Sequence, residues 1–190
     1  MKKVSLLLAF SVALLIPAFG QGQPAPGKID NAFVQKQFGD QFTFLSGIGS
    51  KVGDLDGDGV EDVIIAARCK NPMLDQGEHS YQVIDPYYEY FGYGNPRMTT
   101  TFSEGDPANR GLVVLIIYGA GKDAWHAATP KSKFVIVNLP YKSLSVRKFQ
   151  LKKRTVEAIY VEEAGEMGDS SAVFFDGKKF KYVPMGGDMQ

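Results

Sequence analysis

The sequence has few of the residues that build disulfide-bonded or catalytic sites. Its 190 residues include one cysteine and two histidines, and 21 basic residues balance 21 acidic ones to a formal net charge of zero. One cysteine excludes an internal disulfide, and the neutral balance gives no indication of nucleic-acid binding. Because Cys69 follows the apolar run 63–67, we expect a buried thiol rather than an intermolecular partner.

Two motifs that would indicate catalysis are also incomplete. His79 and His126 lie in unrelated segments, and neither has a neighbouring G-x-S-x-G motif. The stretch GAGK at 119–122 lacks the rest of a phosphate-binding loop, because Ile116 stands where glycine is required and Asp123 where Ser or Thr is required. The sequence therefore favours a protein that is not an enzyme.

Length and the first residues predict one exported domain. Residues 1–20 combine two lysines, the apolar run Val4–Ile16 and small residues before Gln21, which is typical of a secretory signal. That run is shorter than the roughly 20 apolar residues that a membrane-spanning helix needs. We expect cleavage after residue 20, a flexible leader over 21–28, a single β-rich calcium-binding domain over 29–190, and no membrane span in the mature chain. The expected location is secreted or periplasmic.

Hydrophobic periodicity predicts a mainly β fold with one or two short helices and an antiparallel or mixed sheet. The helices are expected at 31–38, capped by Asp30, and at 120–130. A basic stretch at 146–154 indicates an exposed edge strand. The strands are expected at 62–68, 112–118, 133–140, 155–163, 171–175 and 178–183.

Two of these segments carry more information. The run 112–118 is apolar on both faces, which is typical of a central strand covered on both sides. Asp176–Gly177 joins the last two strands and predicts a hairpin with a two-residue loop. In that hairpin one face carries Val173, Phe175, Phe180 and Tyr182.

Residues 70–110 form a long segment with many turn formers and little periodicity. Its aromatic residues argue against disorder, because they supply apolar area for packing. Two interpretations are open: the aromatics pack over the sheet as a lid, or the stretch Tyr81–Tyr93 presents a surface for a protein or carbohydrate ligand. The aromatic residues are Tyr81, Tyr87, Tyr88, Tyr90, Phe91 and Tyr93.

The stretch DLDGDGVED at 54–62 concentrates five carboxylates. In an extended strand, alternate side chains are about 6.6 Å apart, which is too far for three of them to bind one ion. The segment must therefore curl, and Gly57 and Gly59 permit the positive φ angles that a tight coil requires. The alternative is a solvated acidic turn without an ion, in which the carboxylates repel one another.

The oxygen-only composition of this loop favours calcium, or less well magnesium, which keeps several waters. Counted from Asp54, the acidic positions up to the ninth, Asp62, match the beginning of an EF-hand loop. The twelfth position departs from that loop, because it is Ile65 instead of Glu. The predicted ligands are Asp54, Asp56, Asp58, the main-chain carbonyl of Val60, and Asp62.

The pattern D-x-D-x-D-G-x-x-D followed by apolar strand residues resembles the calcium loop of FG-GAP repeats, the blades of integrin-type β-propellers, and the related VCBS repeats of exported bacterial proteins. The resemblance covers about residues 42–67. It implies that Asp62 completes the calcium shell and that the strands form a partial propeller-like blade arrangement.

Two functions are carried forward. The first is an exported calcium-binding domain of FG-GAP/VCBS type, with a structural calcium ion and a role in binding or surface interaction. The second is a secreted hydrolase that acts on polysaccharide or ester with loop carboxylates. Candidates for those carboxylates are Glu162, Glu163, Glu166 and Asp169, although a solvated hairpin connection is the other interpretation of that segment.

Overall fold

The computed structural model describes residues 28–92, 108–164 and 170–186, and these residues form a mainly β protein, as the sequence predicts. The helices are α1 (Asn31–Phe38), α2 (Gln76–His79), α3 (Pro86–Tyr90) and a 3₁₀ helix, Gly121–His126. The strands are β1 (Phe42–Phe44), β2 (Ser50–Gly53), β3 (Asp62–Cys69), β4 (Tyr81–Ile84), β5 (Leu112–Tyr118), β6 (Ser132–Ile136), β7 (Tyr141–Gln150), β8 (Thr155–Glu163), β9 (Ser170–Phe175) and β10 (Phe180–Pro184). No helix in these ranges is long and apolar enough to span a bilayer.

The strands form two sheets. The larger sheet is mixed: its order is β1-β3-β5-β6-β4, β2 pairs with the same edge of β3 as β1 does, and β4 runs parallel to β6. The smaller sheet is antiparallel, in the order β10-β9-β8-β7. Neither sheet closes into a barrel over the described ranges, so the propeller-like arrangement stays a prediction.

The two sheets pack face to face, and α1 covers the other side of the larger sheet. Ile116 and Ile159 belong to the core between the sheets, which contains residues of both. Ile117, the next residue along β5, instead contacts the core that includes Val34 and Phe38 of α1. All seven residues of β5 are buried, which confirms a central strand covered on both faces.

Helix α1 follows the sequence prediction. Asp30 Oδ1 accepts a hydrogen bond of 2.9 Å from the main-chain N–H of Phe33, which is the expected N-cap. The helix ends at Gly39, whose φ of 102° suits glycine and few other residues. Its buried residues are Val34 and Phe38, so α1 lies on the larger sheet through one face.

The hairpin of β9 and β10 forms, but with a different loop. Phe175 pairs with Phe180, so four residues rather than two lie between the paired positions. The Asp176 carboxylate accepts hydrogen bonds from the main-chain N–H groups of Lys178 and Lys179, and these bonds favour the longer turn. The predicted face is retained, because Val173 pairs with Tyr182 and both lie in the core between the sheets.

The segment 70–110 is not a long loop over its described part. It contains α2, β4 and α3, and β4 joins the larger sheet beside β6. The sequence did not predict β4, because a strand of four residues among turn formers is too short to show a hydrophobic period. The second expected helix is also different, since residues 121–126 form a 3₁₀ helix with a kink at Ala124, where φ is 51°.

Candidate metal centre

The acidic loop, residues 54–61, connects β2 to β3 at one end of the larger sheet. The two strands pair in register up to Gly53 and Asp62, so the loop must reverse direction within eight residues. It does so as the sequence predicts: φ is 79° at Gly57 and 84° at Gly59.

Three aspartates converge in this loop. Asp54, Asp56 and Asp58 each offer one carboxylate oxygen, and these oxygens all lie within 4.8 Å of one another. Asp54 and Asp56 are half-buried and Asp58 is exposed. The three side chains can therefore hold a metal ion, as oxygen ligands suited to a hard cation.

Hydrogen bonds inside the loop fix the first of these carboxylates. Asp54 Oδ1 accepts from the N–H groups of Gly57 and Asp58, at 2.8 and 3.0 Å, and Asp54 Oδ2 accepts from Gly59 N–H at 2.9 Å. Asp58 Oδ1 similarly accepts from Val60 N–H at 2.9 Å. The loop backbone thus wraps around the aspartates that it carries.

Asp62 is not a member of the three-aspartate group. It is 1% exposed, its Oδ2 accepts from Leu55 N–H and its Oδ1 from Gly119 N–H, both at 2.8 Å. Burial raises the pKa of Asp62 to about 6, although these two hydrogen bonds oppose the increase. Asp62 thereby joins the acidic loop to the turn after β5. Its role as a metal ligand, like that of the Val60 carbonyl, stays a prediction.

A cation that the sequence analysis missed contacts this group. Lys131 Nζ lies 2.7 Å from Asp56 Oδ2 and 2.6 Å from Asp58 Oδ2. The hydrogen bond from Lys131 lowers the pKa of the Asp58 carboxyl, and the bonds to Asp56 and Asp58 raise the pKa of the Lys131 ammonium. No local pattern indicates this contact, since Lys131 is 73 residues from Asp58 in the sequence.

Two glutamates also attach the loop to its surroundings. Glu157 Oε2, on β8 of the smaller sheet, accepts a hydrogen bond of 2.7 Å from Asp54 N–H. Glu61 is exposed, yet its Oε1 accepts a bond of 3.0 Å from Trp125 Nε1 in the 3₁₀ helix. The loop is therefore held by both sheets and by the connection after β5.

The carboxylates considered for hydrolysis are placed differently. Glu162 and Glu163 are successive residues of β8, so their side chains point to opposite faces of the sheet. Glu162 accepts a hydrogen bond from Ser143 Oγ at 2.9 Å, and Glu163 accepts one from Tyr182 Oη at 2.7 Å. Glu166 and Asp169 lie outside the described residues.

The aromatic residues of 81–93 divide into packed and exposed groups. Tyr81 is 2% exposed in the core beside α1, and Tyr87 packs against the core between the sheets. Tyr90 and Phe91, in contrast, are 51% and 47% exposed. Tyr93 lies outside the described residues. Tyr81 and Tyr87 therefore pack as the first interpretation expects, and a ligand-binding role of this segment stays a prediction.

Comparisons with protein-family models, with curated proteins and with solved structures give no match to this chain. The resemblance of residues 42–67 to FG-GAP and VCBS repeats therefore stays a prediction from the sequence. The geometry that supports a metal site is the convergence of Asp54, Asp56 and Asp58.

Proposed function

We propose that this chain is an exported calcium-binding domain with a calcium loop of the FG-GAP/VCBS type, in which the ion has a structural role. The observation that carries the proposal is the group of three aspartate oxygens within 4.8 Å of one another. A calcium ion accepts six to eight oxygen ligands, so carbonyl oxygens, Asp62 or water would complete the shell.

The attachments of the loop support a structural role for the ion. The loop connects to the smaller sheet through Glu157, to the turn after β5 through Asp62, and to the 3₁₀ helix through Glu61. An ion that holds the loop in this shape therefore stabilises the contact between both sheets. At a concentration of about 100 times its dissociation constant, such an ion adds about 2.7 kcal/mol to the free energy of unfolding.

The binding role of the domain is assigned to the exposed aromatic surface, which we define as Tyr90 and Phe91. Their rings contact each other at a centroid distance of 5.0 Å, and Tyr90 also contacts Tyr182 at 5.4 Å. Exposed aromatic rings on a fixed support offer apolar area to a sugar ring or to an apolar peptide side chain. A protein or carbohydrate ligand is therefore the partner that this proposal favours.

Calorimetric titration with calcium tests the metal proposal. We expect one calcium ion per chain, weaker binding of magnesium, and an increase in melting temperature of about 5–10 °C at saturating calcium. Asp56→Asn removes one charged ligand, and we expect it to weaken calcium binding by about tenfold or more.

Asp40→Asn is the matched control for this titration, because it removes one exposed carboxylate outside the loop. We expect its calcium affinity to equal that of the unmodified chain. The proposal is wrong if the unmodified chain takes up no calcium and a chelator leaves its melting temperature unchanged.

A further inference from the structure

The positively charged ammonium of Lys131 contacts two of the three carboxylates that form the candidate metal centre. Its Nζ is 2.7 Å from Asp56 Oδ2 and 2.6 Å from Asp58 Oδ2, which are distances of charge-assisted hydrogen bonds. The acidic loop thus already holds a monovalent cation that belongs to the chain itself.

The main chain positions this lysine. Lys131 precedes β6, and its N–H donates a hydrogen bond of 3.0 Å to the carbonyl of Tyr118 at the end of β5. The next residue, Ser132, pairs with Tyr118 in the larger sheet. Because the backbone of Lys131 is part of this ladder, the ammonium is directed to the loop by a rigid element.

The lysine side chain of this contact is more exposed to solvent than the two carboxylates are. The Lys131 side chain is 48% exposed, whereas the side chain of Asp56 is 6% exposed and that of Asp58 is 31% exposed. The lysine can therefore swing into solvent without disturbing a packed core, while the carboxylates that it leaves remain partly shielded from water. Such carboxylates need a cation more than exposed ones do.

From these contacts we infer that Lys131 is a built-in counter-ion that a metal must displace, so that it reduces the metal affinity of the acidic loop and stabilises the loop without metal. The inference rests on the proposed function, because it concerns the same site. A divalent ion that shares Asp56 and Asp58 with an ammonium is repelled by it at short range. Metal uptake therefore includes the release of Lys131 to solvent.

Replacement of this lysine has opposite effects on the two states. Lys131→Met keeps the apolar stem and removes the charge, so the loop without metal loses its counter-ion while the metal-bound loop loses only a repulsion. We expect calcium to bind Lys131→Met about three- to thirtyfold more tightly than the unmodified chain, as two partly exposed ion pairs imply. The increase in melting temperature on calcium addition grows accordingly.

Calorimetric titration of three proteins tests the inference: the unmodified chain, Lys131→Met and the control Lys122→Met. Lys122 is an exposed lysine of the 3₁₀ helix, and its loss tests the effect of net charge alone. We expect the affinity of the control to lie within about twofold of the unmodified chain, since exposed charges are screened at physiological salt.

The outcomes separate this inference from the proposed function. Equal or weaker calcium binding by Lys131→Met, with calcium uptake by the unmodified chain, overturns the inference alone. If Lys131→Met takes up calcium and the unmodified chain does not, the inference is supported and the proposed function of the unmodified chain is overturned. Absence of uptake by both overturns both.

A second measurement applies if Lys131→Met does not fold. Nuclear magnetic resonance of the unmodified chain follows the Lys131 ammonium. Without calcium, we expect its protons to exchange with water more slowly than those of an exposed lysine, because Nζ donates hydrogen bonds to Asp56 and Asp58. We expect this protection to be lost on calcium addition. An ammonium signal that is unchanged at saturating calcium overturns the inference.

Discussion

Two buried carboxyl groups show how single residues connect distant parts of this chain. Asp62 joins the acidic loop to the turn after β5, as described above. Asp85 is 0% exposed, and it accepts hydrogen bonds from Tyr88 N–H at 2.9 Å and from Asn138 Nδ2 at 2.5 Å. It thereby caps α3 and joins that helix to the turn after β6. Each group satisfies its oxygens with N–H donors, as a buried carboxyl requires.

Asp85 predicts a measurable pH dependence. Burial raises the pKa of Asp85 in the folded chain, although hydrogen bonds from Tyr88 and Asn138 oppose the shift. The folded chain therefore holds this proton at pH values where the unfolded chain, with an aspartate pKa near 3.9, has lost it. It follows that the contribution of Asp85 to the free energy of unfolding increases as the pH falls through the folded pKa.

Urea unfolding of the unmodified chain and of Asp85→Asn, at several values between about pH 4.5 and pH 7.5, measures this effect. Other titrating groups are common to both proteins, so the difference between the two free energies reports Asp85. As the pH falls, we expect the free energy of unfolding of the unmodified chain to increase relative to that of Asp85→Asn. A difference that is constant, or that shrinks on acidification, would contradict the prediction.

At the scale of elements, β5 organises the molecule. It pairs with β3 on one side and with β6 on the other, and its alternate residues enter different cores. The acidic loop and Lys131 are brought together because each borders a strand that pairs with β5. β3 begins at Asp62, next to the loop, and β6 begins at Ser132, next to Lys131. The contact between Lys131 and the acidic loop therefore depends on the order of strands in the larger sheet.

Alanine substitutions on β5 test whether the strand is covered on both faces. Ile116 and Ile117 are both 0% exposed, the first between the sheets and the second beneath α1. We expect Ile116→Ala and Ile117→Ala each to lower the free energy of unfolding by about 2–5 kcal/mol, because each leaves a cavity. Denaturant unfolding provides the measurement.

The control for this pair is Val52→Ala on β2, where the side chain is 46% exposed. We expect it to cost less than about 1 kcal/mol, since little apolar area is lost from the interior. A small cost at either Ile116 or Ile117 would show that one face of β5 is not packed as described.

At the scale of the whole molecule, the metal centre and the exposed aromatic surface lie on different structural supports. The acidic loop extends from the larger sheet, whereas α3 is attached to the hairpin of β9 and β10 in the smaller sheet. A Glu89–Lys179 ion pair and the Tyr87 and Tyr182 rings, 5.2 Å apart, make this attachment. In the proposed function, calcium stabilises the packing of both sheets, and the exposed aromatic surface contacts a ligand.

Substitution of the exposed aromatic surface tests its role in binding. We expect the unmodified chain to bind at least one glycan or peptide on an array, and a Tyr90→Ser, Phe91→Ser double variant to lose that binding. Leu74→Ser is the control, because Leu74 is 65% exposed and lies outside the surface. An unmodified chain that binds nothing, or a double variant that binds equally well, would refute this role.

Much of this molecule follows from short-range patterns in the sequence. Asp30 as the cap of α1, the buried run of β5, and the positive φ angles of Gly57 and Gly59 are all confirmed. Convergence of Asp54, Asp56 and Asp58 follows as well. These features depend on residues within a few positions of one another, where steric limits and hydrophobic period act directly.

The tertiary structure alone decided what surrounds that loop. Lys131 and Glu157 reach it from 73 and 103 residues away, and Trp125 contacts Glu61 across 64 residues. The strand β4 is likewise defined by its pairing with β6 rather than by its own four residues. Sequence by itself therefore determined a loop whose three aspartates converge and can hold a cation. Which cation the chain itself supplies depends on strand order in the larger sheet, because long-range pairing leaves no local periodic signal.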